Sequence, residues 1–178
     1  MLAIWGRAAV DGGMMSAILK ITINGYQPKK EMDDMIEPDT IKLLRECDAG
    51  IKMGVASIGG VLGHVSNSNF KRRLADCIQE HKMLDRELRG LLNQHHDEGK
   101  EPSPVAKGMS WMKTNMKLGL DGSDESIASL MTDGCNMGIK SLYQYLNEYQ
   151  AASEEARDIA KRLIRLEELL SADIQKYL

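Results

Sequence analysis

The sequence has little of what several protein classes require. Of its 178 residues only 4% are aromatic, so any core must be built from Leu, Ile, Val, Met and Ala. Four prolines are too few for an all-β chain punctuated by turns. Cys47, Cys77 and Cys135 are an odd, widely spaced set with no Cys-x-x-Cys pair. That argues against a disulfide framework and fits a reducing compartment. No run approaches the ~20 apolar residues of a membrane span. Cations are not in excess either: 23 Lys+Arg stand against 26 Asp+Glu, a net charge of -3. Nothing therefore points to a nucleic-acid partner, whose phosphates need clustered Lys and Arg. No Gly-rich phosphate loop, Ser/His/Asp set or nucleophile motif is readable.

What is present suits a globular chain, with 43% hydrophobic and 28% charged residues. The length supports one domain that buries roughly two-thirds of its unfolded surface. Near the N-terminus, Arg7 and a few apolar residues are interrupted by Asp11, Gly12 and Gly13. That pattern reads as neither a signal peptide nor an anchor, and a cytoplasmic protein is expected.

Residues 1–36 differ from the rest. Leu19–Asn24 alternates apolar and polar before Gly25, a short strand signal without a partner strand. Met14, Met15, Met32 and Met35 are alternative starts, so this segment reads as a poorly ordered extension or an over-extended start. Residues 37–178 read as helices. Pro38-Asp39-Thr40 is a capped start, Asp39 or Thr40 serving the first-turn amides, for a helix running to about Leu62. After the cap cluster Ser66–Asn69, a second helix carries Phe70, Leu74, Cys77, His81, Leu84, Leu88 and Leu91 at alternating steps of four and three. That is the seam of a bundle helix, ended by Gly99 and the Pro102/Pro104 pair.

A shorter helical piece, Val105 to about Leu118, carries Trp111 in a Met-rich surround (Met109, Met112, Met116). Such a stripe covers a bundle or adapts to a partner. Asp121–Asp124 caps a third helix with Ile127, Met131, Cys135, Gly138, Leu142, Tyr145 and Tyr149 inward. Ser153 caps a fourth, with Ala156, Ile159, Leu163, Leu166, Leu170 and Tyr177 inward. The predicted order is hairpin, long connection, hairpin: an all-α four-helix bundle with one long crossover, the ferritin-like topology.

Cys47-Asp48-Ala49-Gly50-Ile51-Lys52 and Cys135-Asn136-Met137-Gly138-Ile139-Lys140 form an internal Cys-x-x-Gly-Ile-Lys repeat, read at one depth in two related hairpins. Cys, Gly and Ile share a helix face, where small residues permit close backbone approach. Close packing is one reading; a site that needs the clearance is the other.

With these motifs, the Trp111-Met112-Lys113 segment and the Asp-Gly turn before helix three, residues 37–178 resemble a bacterial ferritin-like family of unknown function whose relatives include stress-associated small proteins. The resemblance implies a ferritin-like bundle, often dimeric, in a superfamily whose active members hold two metal ions, so iron or manganese is possible by analogy. The family commonly carries Glu after each motif Gly; here those positions are Ile51 and Ile139. The di-iron pattern also wants Glu-x-x-His on helices two and four. Helix two has Ile78-Gln79-Glu80-His81, with Ile where Glu is wanted, and helix four has Glu167 and Glu168 but no His. The metal centre is expected to be degenerate, because a di-metal site needs several oxygen donors.

If helices one and two pair about Val65, His81 faces Gly50 and the repeat brings Glu167 to that level, so a His–Glu pair can survive there. Two protein ligands are too few for a dedicated metal site. The leading expectation is a non-catalytic structural or interaction protein, a homodimer without membrane or nucleic-acid partners. The alternative is an iron- or manganese-binding protein around Glu80, His81 and Glu167, assisted by Glu46, Asp48 or Asp133. The thiols of Cys47 and Cys77, seven residues out of level, lie roughly 10 Å apart along the axis and cannot share an ion. A Cys47–Cys135 contact is open as a thiol sensor. His95-His96-Asp97-Glu98 reads as a solvated helix end able to catch adventitious metal.

Overall fold

A computed structural model describes residues 28–101 and 122–178. The chain divides into two compact units, Met1–Asp34 and Met35–Leu178, and the apolar core lies within the second. The described residues form four helices and no strand: α1 Pro28–Leu62, α2 Ser68–Gln94, α3 Asp124–Glu148 and α4 Glu154–Ile174, closed by a 3-10 turn Gln175–Tyr177. No described helix is long and apolar enough to cross a membrane. The expected strand at Leu19–Asn24 and the helix around Trp111 lie outside the described residues.

Local chemistry sets the helix ends. The Asn67 side chain accepts from the amides of Asn69 and Phe70 to start α2, at 2.9 and 3.1 Å. Ser123 caps α3 and Ser153 caps α4, each accepting from the amide three residues on. Asp124, Glu125, Glu154 and Glu155 then place carboxylates in the first turns, where the helix dipole favours them. The expected α1 cap is corrected. The helix begins at Pro28 and carries Pro38 inside it, at the loss of one ladder hydrogen bond. Thr40 Oγ1 accepts from the Ser153 amide at 2.9 Å and Asp39 from Ala151 at 3.3 Å, so both serve the α3–α4 turn instead.

The end of α2 also differs from expectation. His96 takes φ 54°, and the amides of His96 and Asp97 bond back to the carbonyls of Asn93 and Leu92. That Schellman pattern stops the helix at Gln94, ahead of Gly99. The buried stripe of α2 ends on Leu92, with Leu91 half-buried, because a strict four-three pattern drifts against a 3.6-residue turn.

Two apolar layers fill the bundle. The first gathers Leu43, Cys47 and Ile51 from α1, Leu84, Leu88 and Leu92 from α2, Leu142 and Leu146 from α3, and Ile159 and Leu163 from α4. The second holds Ile58, Val61 and Val65, then Phe70, Leu74 and Cys77, then Ile127, Met131 and Cys135, and last Leu170 and Ile174. Chain direction follows from these memberships. α1 and α4 run from the first layer to the second, and α2 and α3 run the other way. α2 therefore ends and α3 begins at opposite ends of the bundle. Asp124 accepts the amides of Ser66 and Asn67 at 2.8 and 2.7 Å, which ties the start of α3 to the α1–α2 turn.

Candidate functional site

Between the two apolar layers sits one polar contact. His81 on α2 is fully buried, and its Nε2 lies 3.2 Å from Glu167 Oε1 on α4. Its Nδ1 lies 2.8 Å from the Cys77 carbonyl oxygen, one helical turn back, with Cys77 Sγ at 3.5 Å. The Cys135 thiol on α3 feels the charge of the same Glu167 carboxylate. Thus α2, α3 and α4 each contribute a polar group, and Gly54 supplies the room. A Cβ on Gly54 of α1 would lie 2.9 Å from His81 Nε2 and 3.5 Å from Glu167 Oε1. On Gly138 of α3 it would meet the Glu167 side chain at 3.9 Å.

These contacts correct the sequence register. His81 faces Gly54, one turn beyond Gly50, whose Cβ would touch Leu163 instead. Pairing is centred near the Asn67 cap rather than Val65. The repeat is accordingly out of level, because the partner of Gly138 at the polar contact is Gly54 and not Gly50. Its other members differ as well: Asp48 is fully buried, whereas Asn136 and Met137 are exposed. Ile51 and Ile139 both serve the first apolar layer, the former buried and the latter half-buried against it.

The electrostatics of the pair are those of a salt bridge. Burial disfavours charge on His81, but hydrogen bonds to Cys77 and Glu167 and the Glu167 charge outweigh it and push its pKa up to about 10. Burial, then Glu167, pushes the Cys135 thiol up. The Cys47 thiol rises to about 12, through burial with Glu46 and Asp48 adding to it. These thiols are poor nucleophiles at neutral pH. Cys47 lies in the first layer, Cys77 and Cys135 in the second, and all three are free.

The remaining candidates do not join the pair. Glu80 turns toward Arg73, 3.2 Å away, which also holds Asp173 at 2.6 Å. It is thus a correction to the candidate set, since a residue beside an inward His points sideways on a helix. Glu46 pairs with Lys100 at 2.6 Å, and Asp133 is exposed. Among the described residues no group of three His, Cys, Asp or Glu is placed to hold a metal ion.

Asp48 is fully buried, which its place in the repeat does not reveal. Its Oδ2 accepts the Lys100 amide at 2.9 Å and meets Lys52 Nζ at 3.1 Å. Gly99, at φ 84°, passes so close that a Cβ there would collide with the carboxylate. Asp97, expected in a solvated end, instead accepts from both Arg45 Nε and Nη2. Together these contacts bind the segment leaving α2 onto α1. The signal was the Asp/Asn difference within the repeat. A cleft of about 400 Å³ opens there, lined by Lys42, Arg45, Glu46, Gly99, Lys100 and Glu101. It is separate from the His81–Glu167 pair, and Arg45 and Lys100 are already paired with carboxylates.

Chemically, the polar centre can hold a proton and a buried charge pair. It offers no nucleophile, no group of metal donors and no open substrate cavity among the described residues. Comparisons with protein-family models, curated proteins and solved structures return no match to this chain.

Proposed function

We propose that this chain is a ferritin-like bundle with a degenerate di-metal centre, acting as a cytoplasmic structural or interaction protein, as a homodimer and without catalysis of its own. The observation that carries the reading is what stands at the centre. Glycines at positions 54 and 138 and a fully committed His81 occupy the level where a metal-binding bundle needs several oxygen donors. Helix directions support the fold side: α2 and α3 run the same way, so α2 ends and α3 begins at opposite ends of the bundle. Exposed Met83, Met137, Tyr143 and Leu169 give α2, α3 and α4 apolar surface for association.

A second reading, iron or manganese held around His81 and Glu167, is favoured by their 3.2 Å approach. One experiment separates the two. Metal content is measured on untagged protein purified without chelator, beside His81→Ala, and molar mass is read by light scattering. The first reading expects metal far below one equivalent in both proteins and twice the chain mass. One or two equivalents of iron, manganese or zinc, lost in the variant, would overturn it.

A further inference from the structure

A ferritin-like centre implies metal, so its donor set is the place to test the fit. A metal-bound imidazole needs a lone pair on the ligating nitrogen and usually gives its other N–H to an oxygen. His81 Nδ1 already faces the Cys77 carbonyl, an acceptor with no proton of its own. It must therefore be the N–H donor there. Nε2 faces a carboxylate oxygen of Glu167. The Gly54 backbone lies against this nitrogen so closely that even a methyl group does not fit. The 3.2 Å separation of Nε2 and Glu167 would admit a metal about 2 Å from each, but such a site needs further donors. Glu80 is turned to Arg73, α1 presents Gly54 at this level, and the Cys77 and Cys135 thiols complete no group of three donors placed to hold a metal ion among the described residues. The residues present do not fit the group.

We infer that His81 is an imidazolium whose positive charge takes the place of a resident metal cation beside Glu167, so that the bundle closes its centre with an internal ion pair. The inference deepens the degenerate-centre reading and rests on it for the comparison with metal. The charge assignment itself rests on the local geometry. With both nitrogens protonated, Nδ1–H donates to Cys77 and Nε2–H donates to Glu167, leaving no lone pair on the ring. The ionisable groups around the ring are few. Glu167 faces it from α4, Cys77 from its own helix and Cys135 from α3 by way of Glu167, while α1 contributes Gly54. The nearby guanidinium of Arg73 is occupied by Glu80 and Asp173. Raised affinity of the ring for its proton follows from the same contacts.

The test is nitrogen-15 NMR of the histidine rings in the full chain from pH 6 to 9, for the native sequence and Glu167→Gln. In the native protein one ring, absent from the His81→Ala spectrum, should keep imidazolium shifts on both nitrogens throughout. In Glu167→Gln the carboxylate charge is gone and burial is opposed only by the neutral contacts, so this ring should become neutral within the range. Adding one equivalent of manganese or zinc should leave its native signals in place. A neutral His81 ring at pH 7, or metal that broadens or shifts it stoichiometrically, would overturn the inference. The ring shifts report charge whether or not the bundle proves ferritin-like or dimeric, so the two readings fail separately.

Discussion

Gly54→Ala and Gly138→Ala are the same chemical change in the middles of two helices, yet the structure predicts opposite outcomes. Propensity alone favours Ala over Gly in a helix interior by about 1 kcal/mol. At Gly138 the new Cβ meets Glu167 no closer than 3.9 Å, ordinary contact, so most of that gain should be realised. At Gly54 it would stand 2.9 Å from His81 Nε2. The ring has little freedom to retreat, being fully buried and held at its other nitrogen by the Cys77 carbonyl. Its bond to Glu167 is already 3.2 Å long, and a shift of about half an ångström weakens it sharply. Breaking a buried pair from one side costs about 3–5 kcal/mol. Net of propensity, Gly54→Ala should lose about 2–4 kcal/mol while Gly138→Ala gains up to about 1. Urea denaturation reads both, and Gly134→Ala, with open space around its Cβ, is the surface control. In a His81→Ala background the Gly54→Ala change should instead become stabilising, a sign reversal that a double-mutant cycle isolates. If Gly54→Ala stabilises the native protein as much as Gly138→Ala does, the close packing of His81 on α1 is refuted.

Other outcomes depend on the same contacts. The pKa of His81 is raised on folding, from 6.5 to about 10, so its stabilisation is fully present below about pH 6.5 and is lost as pH rises toward 10. The unfolding free energy from urea denaturation should fall by up to about 1.4 kcal/mol per pH unit in that window, and the slope should vanish in a His81→Leu/Glu167→Met variant. That double replacement should be near neutral at pH 7, whereas His81→Leu alone should cost about 3–5 kcal/mol by stranding Glu167; equal losses would argue against a coupled pair. Gly99→Ala should cost about 1–3 kcal/mol, since it meets both a left-handed backbone and the Asp48 carboxylate, and should speed hydrogen exchange at the Lys100 amide. Asp124→Ala should speed exchange at the Ser66 and Asn67 amides, and unchanged rates would show that the α1–α2 turn does not depend on α3.

The helical segments are legible along the chain, apart from the start of α1 and the end of α2. Spacing along α2 from Phe70 to Leu88, and the side chains of Asn67, Ser123 and Ser153, carry their information within one or two turns of chain, which is the range over which caps and amphipathic stripes act. The sequence also marked His81 as the one imidazole on an apolar stripe, and a scarcity of carboxylates where a metal bundle needs them. Register, by contrast, depends on packing between helices. A shift of one turn between antiparallel helices leaves both apolar stripes inward, so the pattern cannot distinguish Gly50 from Gly54 as the partner of His81. The steric fit of the ring against a missing Cβ distinguishes them. Pro38 and Asp39 read locally as a helix start, but their neighbourhood includes a turn more than a hundred residues away that takes Asp39 and Thr40 as its own acceptors. Asp48 is buried for the same reason. Its partners, Lys100 and the space at Gly99, come from the segment that leaves α2, and only folding brings them to α1.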